Sequence, residues 1–256
     1  MTRALYVLIG DPVAHSRSPK IHARAFELLG IDAVYAPCLV TNVPAAFAGL
    51  RALGAAGFNV TVPHKEAAAK LCDRLDAAAE RIRAVNCVDA VFTGHNTDVP
   101  GILRALNQEA SAGGPDVVFG AGGSARAAAF ALPGCSIVNR TRSRAEALAR
   151  DLGARLAEPE VIREARLVVN CTTIGLHDES LPFDVAQLPK DAVVVDLVYR
   201  GATGDTALVR AARARGLRAI DGLAVLVHQA IASLEIWLGR NDLEELYPKL
   251  REAALA

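Results

Sequence analysis

The sequence predicts an α/β protein of two domains, and three observations carry that prediction. Short apolar runs alternate with helical patterns along the whole chain, which is typical of strands that helices join into parallel sheets. Near the middle, the glycine-rich turn Gly120-Ala121-Gly122-Gly123 separates an apolar run from an Ala-rich helical pattern. A chain of 256 residues is also long enough to bury two separate cores.

Composition and charge argue against several classes of protein. The 28 basic residues are balanced by 28 acidic ones, so no net field attracts nucleic acid or an anionic membrane. No apolar stretch is long enough to span a bilayer. The five cysteines are an odd number and include no Cys-x-x-Cys pair, which predicts reduced thiols. We therefore expect a cytoplasmic protein that binds no nucleic acid, membrane or metal ion.

The first third of the chain alternates strands with helices, an order that predicts a parallel sheet. Strands are predicted over 4–9, 34–40 and 57–62, and helices over 19–29, 44–53 and 66–83. Ser18 followed by Pro19 predicts a capped helix start, and Gly30 predicts its end. Capping does not explain Ser16, whose hydroxyl is a candidate to bind a small polar ligand.

Lys65 and Asp98 are candidates for proton transfer. Lys65 is predicted in the first turn of a helix, where the positive end of the helix dipole disfavours an ammonium group. The chain uses 23 arginines and only five lysines, and arginine could not exchange a proton here. Asp98 precedes a helix that Pro100 opens, where the dipole favours a carboxylate. The alternatives are a surface lysine paired with an acidic neighbour and an aspartate that only caps its helix.

The glycine-rich turn predicts a dinucleotide site. Gly120 permits a tight turn, Gly122 lets the backbone approach a pyrophosphate, and the following helix points its amides at that group. An NAD site has an acidic residue about 20 positions after the first glycine. Asn139 and Arg140 occupy that place, and Arg142 and Arg144 follow. Guanidinium groups suit a 2′-phosphate, so the sequence favours NADP.

The remaining elements complete an alternating α/β pattern. Strands are predicted over 167–170, 192–198 and 218–220, and helices over 144–152, 208–215 and 223–238. An ordinary helix start capped by Ser143 is the alternative for the basic segment. Asn241 and Glu244 predict a capping box at the last helix. The segment 111–115 predicts the boundary between the two domains.

Seven motifs occur in the order and spacing found in shikimate dehydrogenases, and the chain resembles that family over its whole length. They are Ser16-x-Ser18-Pro19, Asn59-Val60-Thr61-Val62-Pro63-His64-Lys65, Ala84-Val85-Asn86, Asn96-Thr97-Asp98-x-x-Gly101, Gly120-Ala121-Gly122-Gly123, Asn139-Arg140-Thr141 and Asp221-Gly222-Leu223.

The resemblance implies an enzyme of aromatic amino acid biosynthesis that reversibly reduces 3-dehydroshikimate to shikimate with NADPH. It implies a substrate-binding domain over 1–101, completed by helices of 223–256 that return to it. A Rossmann-type NADP-binding domain is implied over 102–222. The enzyme is expected to be a monomer or homodimer.

The resemblance also implies roles for individual residues. Lys65 and Asp98 would form the proton-transfer pair. The hydroxyls and carboxylate of the substrate would be held by Ser16, Ser18, Asn59, Thr61, Asn86, Tyr199 and Gln229. The cofactor would be held by Gly120, Ala121, Gly122, Gly123, Ser124, Asn139, Arg140, Thr141, Arg144, Thr172, Leu197 and Gly222.

The sequence departs from the family pattern in three places and is compatible with other functions. The segment 86–96 is short for a hairpin, the loop 200–205 lacks the usual prolines, and Ala224 and Val225 stand where Gly and Met are common. Quinate or an aminated analogue of shikimate is an alternative substrate. A non-catalytic NADP sensor and a methyltransferase are alternatives from other classes. The presence of Lys65 and Asp98 disfavours the sensor, and Arg140 disfavours the methyltransferase.

Overall fold

The structure is a computed structural model that describes residues 3–106, 114–200 and 203–256. It divides into two compact units. The first contains the chain up to Thr97 together with 227–254 and 256, and the second contains 98–226 and 255. Residues 98–101 and 223–226, which we expected in the substrate-binding domain, thus fall in the second unit. Of the predicted boundary 111–115, residues 111–113 lie outside the described part of the chain.

The first unit contains a six-stranded sheet with the order β2-β1-β3-β5-β6-β4. Its strands are β1 (Ala4–Gly10), β2 (Ala33–Leu39), β3 (Gly57–Val60), β4 (Arg74–Leu75), β5 (Cys87–Asp89) and β6 (Thr93–His95). Strand β1 pairs in parallel with β2 and β3. Strand β5 is antiparallel to both β3 and β6. The sheet of the first unit is therefore mixed, and the expectation that it is parallel is wrong. The short segment after Asn86 does form a hairpin, because antiparallel strands need no crossover helix.

The helices of the first unit differ from the prediction in three places. They are α1 (Ser18–Leu29), α2 (Val43–Ala52), α3 (Lys65–Ala69), α4 (Ala77–Ile82), the part of α9 (Gly222–Leu238) from residue 227 and α10 (Tyr247–Leu255). The single helix predicted over 66–83 is broken, because Asp73 and Asp76 donate their amides to carbonyls of the 92–94 segment. Ser18 is the first helical residue and not the cap. The predicted capping box is wrong, since a 3₁₀ helix over Leu243–Leu246 precedes α10.

Aromatic side chains fill much of the core of the first unit. Phe58 packs edge-on against Phe47 at a ring-centroid distance of 5.0 Å. On another side, Trp237 of α9 packs against Tyr6 at 4.7 Å and donates its indole N–H to the carbonyl of Val88. The contacts of Trp237 attach the end of α9 to the sheet of the first unit.

The second unit contains a parallel sheet with the order β9-β8-β7-β10-β11-β12. Its strands are β7 (Asp116–Phe119), β8 (Ser136–Val138), β9 (Arg155–Leu156), β10 (Leu167–Asn170), β11 (Val193–Asp196) and β12 (Arg218–Ile220). Numbered within the unit, this order is 3-2-1-4-5-6, which is the order of the Rossmann fold. The strand order reverses between β7 and β10, and ligands of such sheets bind at the carboxyl ends of the strands there.

The helices of the second unit pack on both faces of this sheet. They are α5 (Asp98–Leu106), α6 (Gly123–Ala131), α7 (Arg142–Leu152), α8 (Ala207–Ala214) and the start of α9 (Gly222–Leu238), with short 3₁₀ helices at Pro159–Glu164 and Val185–Gln187. One apolar cluster joins α5, α6 and α7 to the sheet, and another contains α8. Helix α7 begins at Arg142, so Ser143 lies inside the helix and does not cap it.

Three features are absent from the described residues. Within the described ranges, no helix has the length and apolar character that crossing a membrane requires. None of the five cysteines, all of which the structure describes, is in a disulfide. The described residues also contain no group of three or more side chains that would hold a metal ion.

Candidate active site

Lys65 is the first residue of the short helix α3 and is buried, with 9% of its surface exposed. Its backbone carbonyl accepts a 2.9 Å hydrogen bond from the amide of Val85, the residue before Asn86. The loop from Thr61 to His64 connects strand β3 to this helix. His64 is a structural neighbour, because its Nε2 lies 2.7 Å from the carbonyl oxygen of Val40. The buried lysine therefore lies next to the segment that contains Val85 and Asn86.

Asp98 is the first residue of α5 and is also buried, with 8% of its surface exposed. It begins a helix of nine residues, and a carboxylate is favourable in the first turn of a helix. Lys65 belongs to the first unit and Asp98 opens the second. Their action as a pair stays a prediction.

Buried amides and hydroxyls lie together at the ends of β3 and β5 and on α9. We call this set the amide network, and its members are Tyr35, Asn59, Asn86, Thr97, Gln229 and Ser233. The hydroxyl of Tyr35 donates to Asn59 Oδ1 at 2.8 Å. Asn59 Nδ2 donates to the carbonyl of Asn86 at 2.9 Å and to Ser233 Oγ at 3.0 Å. Both N–H groups of Asn59 are thus used inside the network.

The other half of the amide network holds Asn86 and Gln229. Asn86 Oδ1 accepts the backbone N–H of Thr97 at 2.7 Å. Asn86 Nδ2 lies 2.9 Å from Thr97 Oγ1 and 3.0 Å from Gln229 Oε1. Ser233 Oγ donates to the carbonyl of Gln229, one helical turn earlier, at 3.0 Å. The structure therefore brings together three predicted substrate residues, Asn59, Asn86 and Gln229.

Sequence reasoning missed three members of this network as functional residues, namely Tyr35, Thr97 and Ser233. Thr97 lies inside the quoted Asn-Thr-Asp motif, so its signal was present but not used. Ser233 is four residues after Gln229 and therefore on the same face of α9. Tyr35 has no comparable signal in the sequence, because its partner Asn59 is on a different strand.

The hydroxyl-bearing residues Ser16, Ser18 and Thr61 lie in loops or helix starts of the first unit. Ser16 Oγ accepts the amide N–H of Ser18 at 3.2 Å, so Ser16 stabilises the start of α1. Ser18 itself is buried. Thr61 packs over Gly10, where an added Cβ would come within 2.3 Å of Thr61 Cγ2. The glycine at this position therefore leaves room for Thr61 at the carboxyl end of β1.

The glycine-rich turn lies at the reversal of strand order in the second unit. Gly120 has φ of 118°, and a Cβ there would meet the carbonyl oxygen of Cys171 at 3.0 Å. Helix α6 follows with Gly122 as its N-cap, which has no side chain to bond the first amides. Ala121, Gly123 and Ser124 complete the turn and the first helical positions. Helix α6 is nine residues long, and no side chain caps its N-terminus. The amides at this N-terminus fit the pyrophosphate of a dinucleotide.

The segment after β8 is basic and exposed. Asn139 Nδ2 donates to the carbonyl of Thr141 at 2.9 Å, which shapes the turn around Arg140. Arg140 is exposed, and no residue in the described ranges forms a hydrogen bond or ion pair with it. Arg142 differs, because its guanidinium binds Glu146 at 3.0 Å and Glu158 at 2.9 Å. Arg140 therefore fits a 2′-phosphate, whereas Arg142 is already paired with carboxylates. Arg144, which was also predicted to bind the cofactor, lies in the first turn of α7.

Polar groups at the ends of β10 and β11 form a second buried cluster. The hydroxyl of Thr172 donates to Asn170 Oδ1 at 2.7 Å, and Asn170 Nδ2 donates to Asp196 Oδ1 at 2.8 Å. Thr206 donates to the other oxygen of Asp196 at 2.5 Å. Burial raises the pKa of Asp196, although its hydrogen-bond donors oppose that shift. The cluster fixes the loops that leave both strands.

The loop after β11 contacts the start of α9. A Cβ on Gly222 would lie 2.6 Å from the carbonyl oxygen of Val198 and 2.8 Å from that of Leu197. Only glycine permits this approach, so two predicted cofactor residues, Leu197 and Gly222, do lie together. Tyr199 is half-buried. Of the atypical loop 200–205, residues 201 and 202 lie outside the described ranges.

The strand order, the glycine turn and the open helix start are those of the dinucleotide-binding α/β proteins. A family model described as the shikimate dehydrogenase substrate binding domain matches residues 8–88. The shikimate dehydrogenase (NADP(+)) of Anaeromyxobacter sp. (strain Fw109-5) is 42% identical over an alignment 266 positions long, which covers 95% of this chain and 94% of the relative. The chain belongs to the shikimate dehydrogenase family.

Solved structures agree with this assignment. Shikimate 5-dehydrogenase from Thermus thermophilus, in complex with NADP(H) and shikimate, is 38% identical with a TM-score of 0.89, and 98% of each chain is covered. Shikimate dehydrogenase from Aquifex aeolicus is 34% identical with a TM-score of 0.89, covering 99% of this chain and 97% of that one. The similarity thus extends over both units.

Proposed function

We propose that the protein is an NADP-dependent shikimate dehydrogenase, which reversibly reduces 3-dehydroshikimate to shikimate. The observation that carries the proposal is Lys65, a buried lysine at the start of a helix, whose backbone is bonded to the segment that holds Asn86. The printed names of the relatives, and the NADP(H) and shikimate of the Thermus thermophilus complex, support the choice of substrate and cofactor.

The first unit is proposed to bind the substrate. Gln229 would bind a hydroxyl or carboxylate oxygen directly, and the hydroxyls of Ser16, Ser18 and Thr61 would bind others. Asn86 would accept a substrate hydroxyl at Oδ1, because both of its N–H groups are used by Thr97 and Gln229. Asn59 contributes by bracing Asn86, because both of its N–H groups are used in the amide network. Tyr199 of the second unit is proposed as a further substrate contact.

The second unit is proposed to hold the cofactor. The amides at the start of α6 would bind the pyrophosphate, and Asn139, Arg140, Thr141 and Arg144 would bind the adenosine ribose and its 2′-phosphate. Thr172, Leu197 and Gly222 shape the loops at the carboxyl ends of β10 and β11. When bound, NADPH supplies the hydride for carbonyl reduction.

Lys65 is proposed to supply the proton that accompanies reduction. The substrate carbonyl gains a hydride at carbon, and its oxygen then takes a proton from the ammonium of Lys65, leaving a neutral amine that solvent reprotonates. Asp98 is proposed to orient the amine and to accept a hydrogen bond from the substrate hydroxyl. In the oxidation direction, the neutral amine removes the hydroxyl proton. A positioned acid or base of this kind typically contributes about 10²–10⁴ in rate.

The test replaces Lys65 while preserving its helix. Lys65→Ala should lower kcat for shikimate oxidation by roughly 10²-fold or more, with little effect on the dissociation constant of NADPH. Lys70→Ala is the matched control, because Lys70 ends the same helix and is exposed. Near-normal turnover of Lys65→Ala would remove this lysine from the chemistry.

A further inference from the structure

The direction of each hydrogen bond in the amide network follows from its backbone groups. The N–H of Thr97 can only donate, so the Asn86 atom 2.7 Å away is the oxygen Oδ1. The carbonyl of Asn86 can only accept, so the Asn59 atom 2.9 Å away is the nitrogen Nδ2. These two hydrogen bonds to backbone groups determine which side-chain atom is oxygen and which is nitrogen in Asn59 and in Asn86.

The orientation of Gln229 then follows from Asn86. Because Asn86 Oδ1 is bound to the amide of Thr97, its Nδ2 donates on the other side, and the group of Gln229 that lies 3.0 Å away accepts. That group is Oε1, which also lies 3.2 Å from Thr97 Oγ1. The Nε2 of Gln229 is consequently turned away from Asn86 and Thr97. Within the described part of the chain, no acceptor binds it.

We infer that Thr97 is a positioning residue, which holds Gln229, directly and through Asn86, with its two Nε2 hydrogens available to a ligand. Gln229 therefore recognises a hydrogen-bond acceptor, such as a carboxylate or hydroxyl oxygen, and not a donor. The inference rests on the proposed function in one respect only, namely that the ligand is the substrate. Thr97 contacts both ends of the Asn86 amide, donates its hydroxyl to Gln229 Oε1 at 3.2 Å and is 1% exposed, so it holds Gln229 both directly and through Asn86.

The first test removes only the hydroxyl of Thr97. Thr97→Val keeps the shape and the backbone N–H but loses the oxygen that fixes Asn86 Nδ2. We expect KM for shikimate to rise roughly three- to tenfold, with a smaller change in kcat and an unchanged dissociation constant for NADPH. Thr93→Val, the same substitution on β6, is the control. Loss of thermal stability with an unaltered KM would show a purely structural role and overturn the inference.

The second test compares two replacements of Gln229. Gln229→Met removes donor and acceptor together, whereas Gln229→Glu keeps an acceptor towards Asn86 but places an oxygen where Nε2 was. If Gln229 recognises an acceptor, the Glu variant should raise KM more than the Met variant does. In the Glu variant, a carboxylate oxygen takes the place of Nε2 and repels the acceptor oxygen of the substrate. A KM for the Glu variant that is close to wild type and below that of the Met variant would contradict the inference.

A third measurement needs neither substrate nor activity. Side-chain amide protons of the ligand-free protein are followed by NMR, and those of Gln229 are assigned by their loss in Gln229→Glu. We expect them to exchange with solvent at least roughly tenfold faster than those of Asn86, which are bonded inside the network. Slower exchange for Gln229 would overturn the orientation. Because this result does not depend on turnover, it separates failure of the inference from failure of the proposed function.

Discussion

Arg140 is the residue on which cofactor selection depends most directly in the proposed function. It is exposed at the carboxyl end of β8, whereas Arg142 nearby is already bound to Glu146 and Glu158. An unpaired guanidinium attracts a phosphate and gains little from the hydroxyl that NAD has at the same place.

Arg140→Ala should therefore weaken NADP by roughly tenfold or more, while NAD changes much less. Arg142→Ala is the matched control and should leave the ratio of the two affinities almost unchanged. The measurement is the dissociation constant of each reduced cofactor, followed by nicotinamide fluorescence. Equal losses for both cofactors would show that other residues recognise the 2′-phosphate.

Gly57 and Trp237 illustrate a packing constraint at a single residue. A Cβ on Gly57 would lie 2.4 Å from the indole Nε1, whose N–H donates to the carbonyl of Val88 at 3.0 Å. Gly57→Ala should lower the free energy of unfolding by about 1–3 kcal/mol, because a well-packed ring must move. Gly49→Ala in α2 is the control, since open space surrounds that position.

The only tryptophan of the chain reports the result, because its fluorescence follows unfolding of the first unit. The control should be neutral or slightly stabilising, since Ala is a better helix former than Gly. A Gly57→Ala variant as stable as the wild type would mean that Trp237 can shift without cost.

At the scale of residues, the sequence predicted groups with an unusual local context but not their distant partners. Lys65 was recognisable because lysine is rare in this chain and disfavoured at a helix start. The bond from Asn59 to Ser233 spans 174 positions, and nothing local to either residue predicts it. The ion pair of Arg142 with Glu158 was likewise not predicted, because the two residues are 16 positions apart.

The hairpin of β5 and β6 contains a histidine that lies between two carboxylates. His95 Nδ1 lies 2.9 Å from Asp76 Oδ2, and its Nε2 lies 3.4 Å from Asp89 Oδ2. Burial lowers the pKa of His95, but the two carboxylates outweigh it and raise the pKa overall. Burial likewise raises the pKa of Asp76, but His95 and the amide of Ala79 outweigh it and lower the pKa.

The sign of each shift gives a pH window. The His95 contribution is fully present below about pH 6.5 and is lost as pH rises through the folded pKa. The Asp76 contribution is present above about pH 4 and is lost as pH falls through the folded pKa. The hairpin should therefore be most stable between these limits.

Replacement of His95 tests this window. His95→Gln should reduce the fall in unfolding free energy between pH 6 and pH 8, by a difference on the order of 1 kcal/mol. Denaturant titrations at the two pH values provide the measurement, and exposed His177→Gln is the control. An identical pH dependence for wild type and His95→Gln would show that the interaction of His95 with Asp76 and Asp89 does not stabilise the fold.

At the scale of elements, the hydrophobic period predicted most helix bounds to within about two residues. The predicted caps at Ser18 and at Asn241 with Glu244 are wrong, and tertiary pairing breaks one predicted helix. The helical pattern over 66–83 is interrupted because residues 73–76 pair with the β6 segment and Asp76 caps a new helix. The sequence did not firmly predict the pairing of β5 with β6, because the segment 86–96 is short for a hairpin. In the second unit, strand and helix alternation predicted the parallel sheet, whereas its strand order was expected only from the resemblance to a family with a Rossmann-type domain.

The whole molecule consists of two units with separate cores, and the sequence predicted this from length and from the glycine turn in the middle of the chain. The exact boundaries, at 97/98 and 226/227, were not predictable because α9 contributes residues to both units. An apolar helix carries no local signal for the position at which its contacts change from one core to another.

Steady-state kinetics with both substrates and both cofactors test the account as a whole. Values of kcat/KM for shikimate and for quinate, each with NADP+ and with NAD+, separate the proposed function from its closest alternatives. The proposed roles of Arg140 and of the first unit predict that shikimate with NADP+ exceeds every other combination by roughly tenfold or more. A higher kcat/KM for quinate or with NAD+, or no turnover of shikimate by the folded protein, would contradict the proposed function.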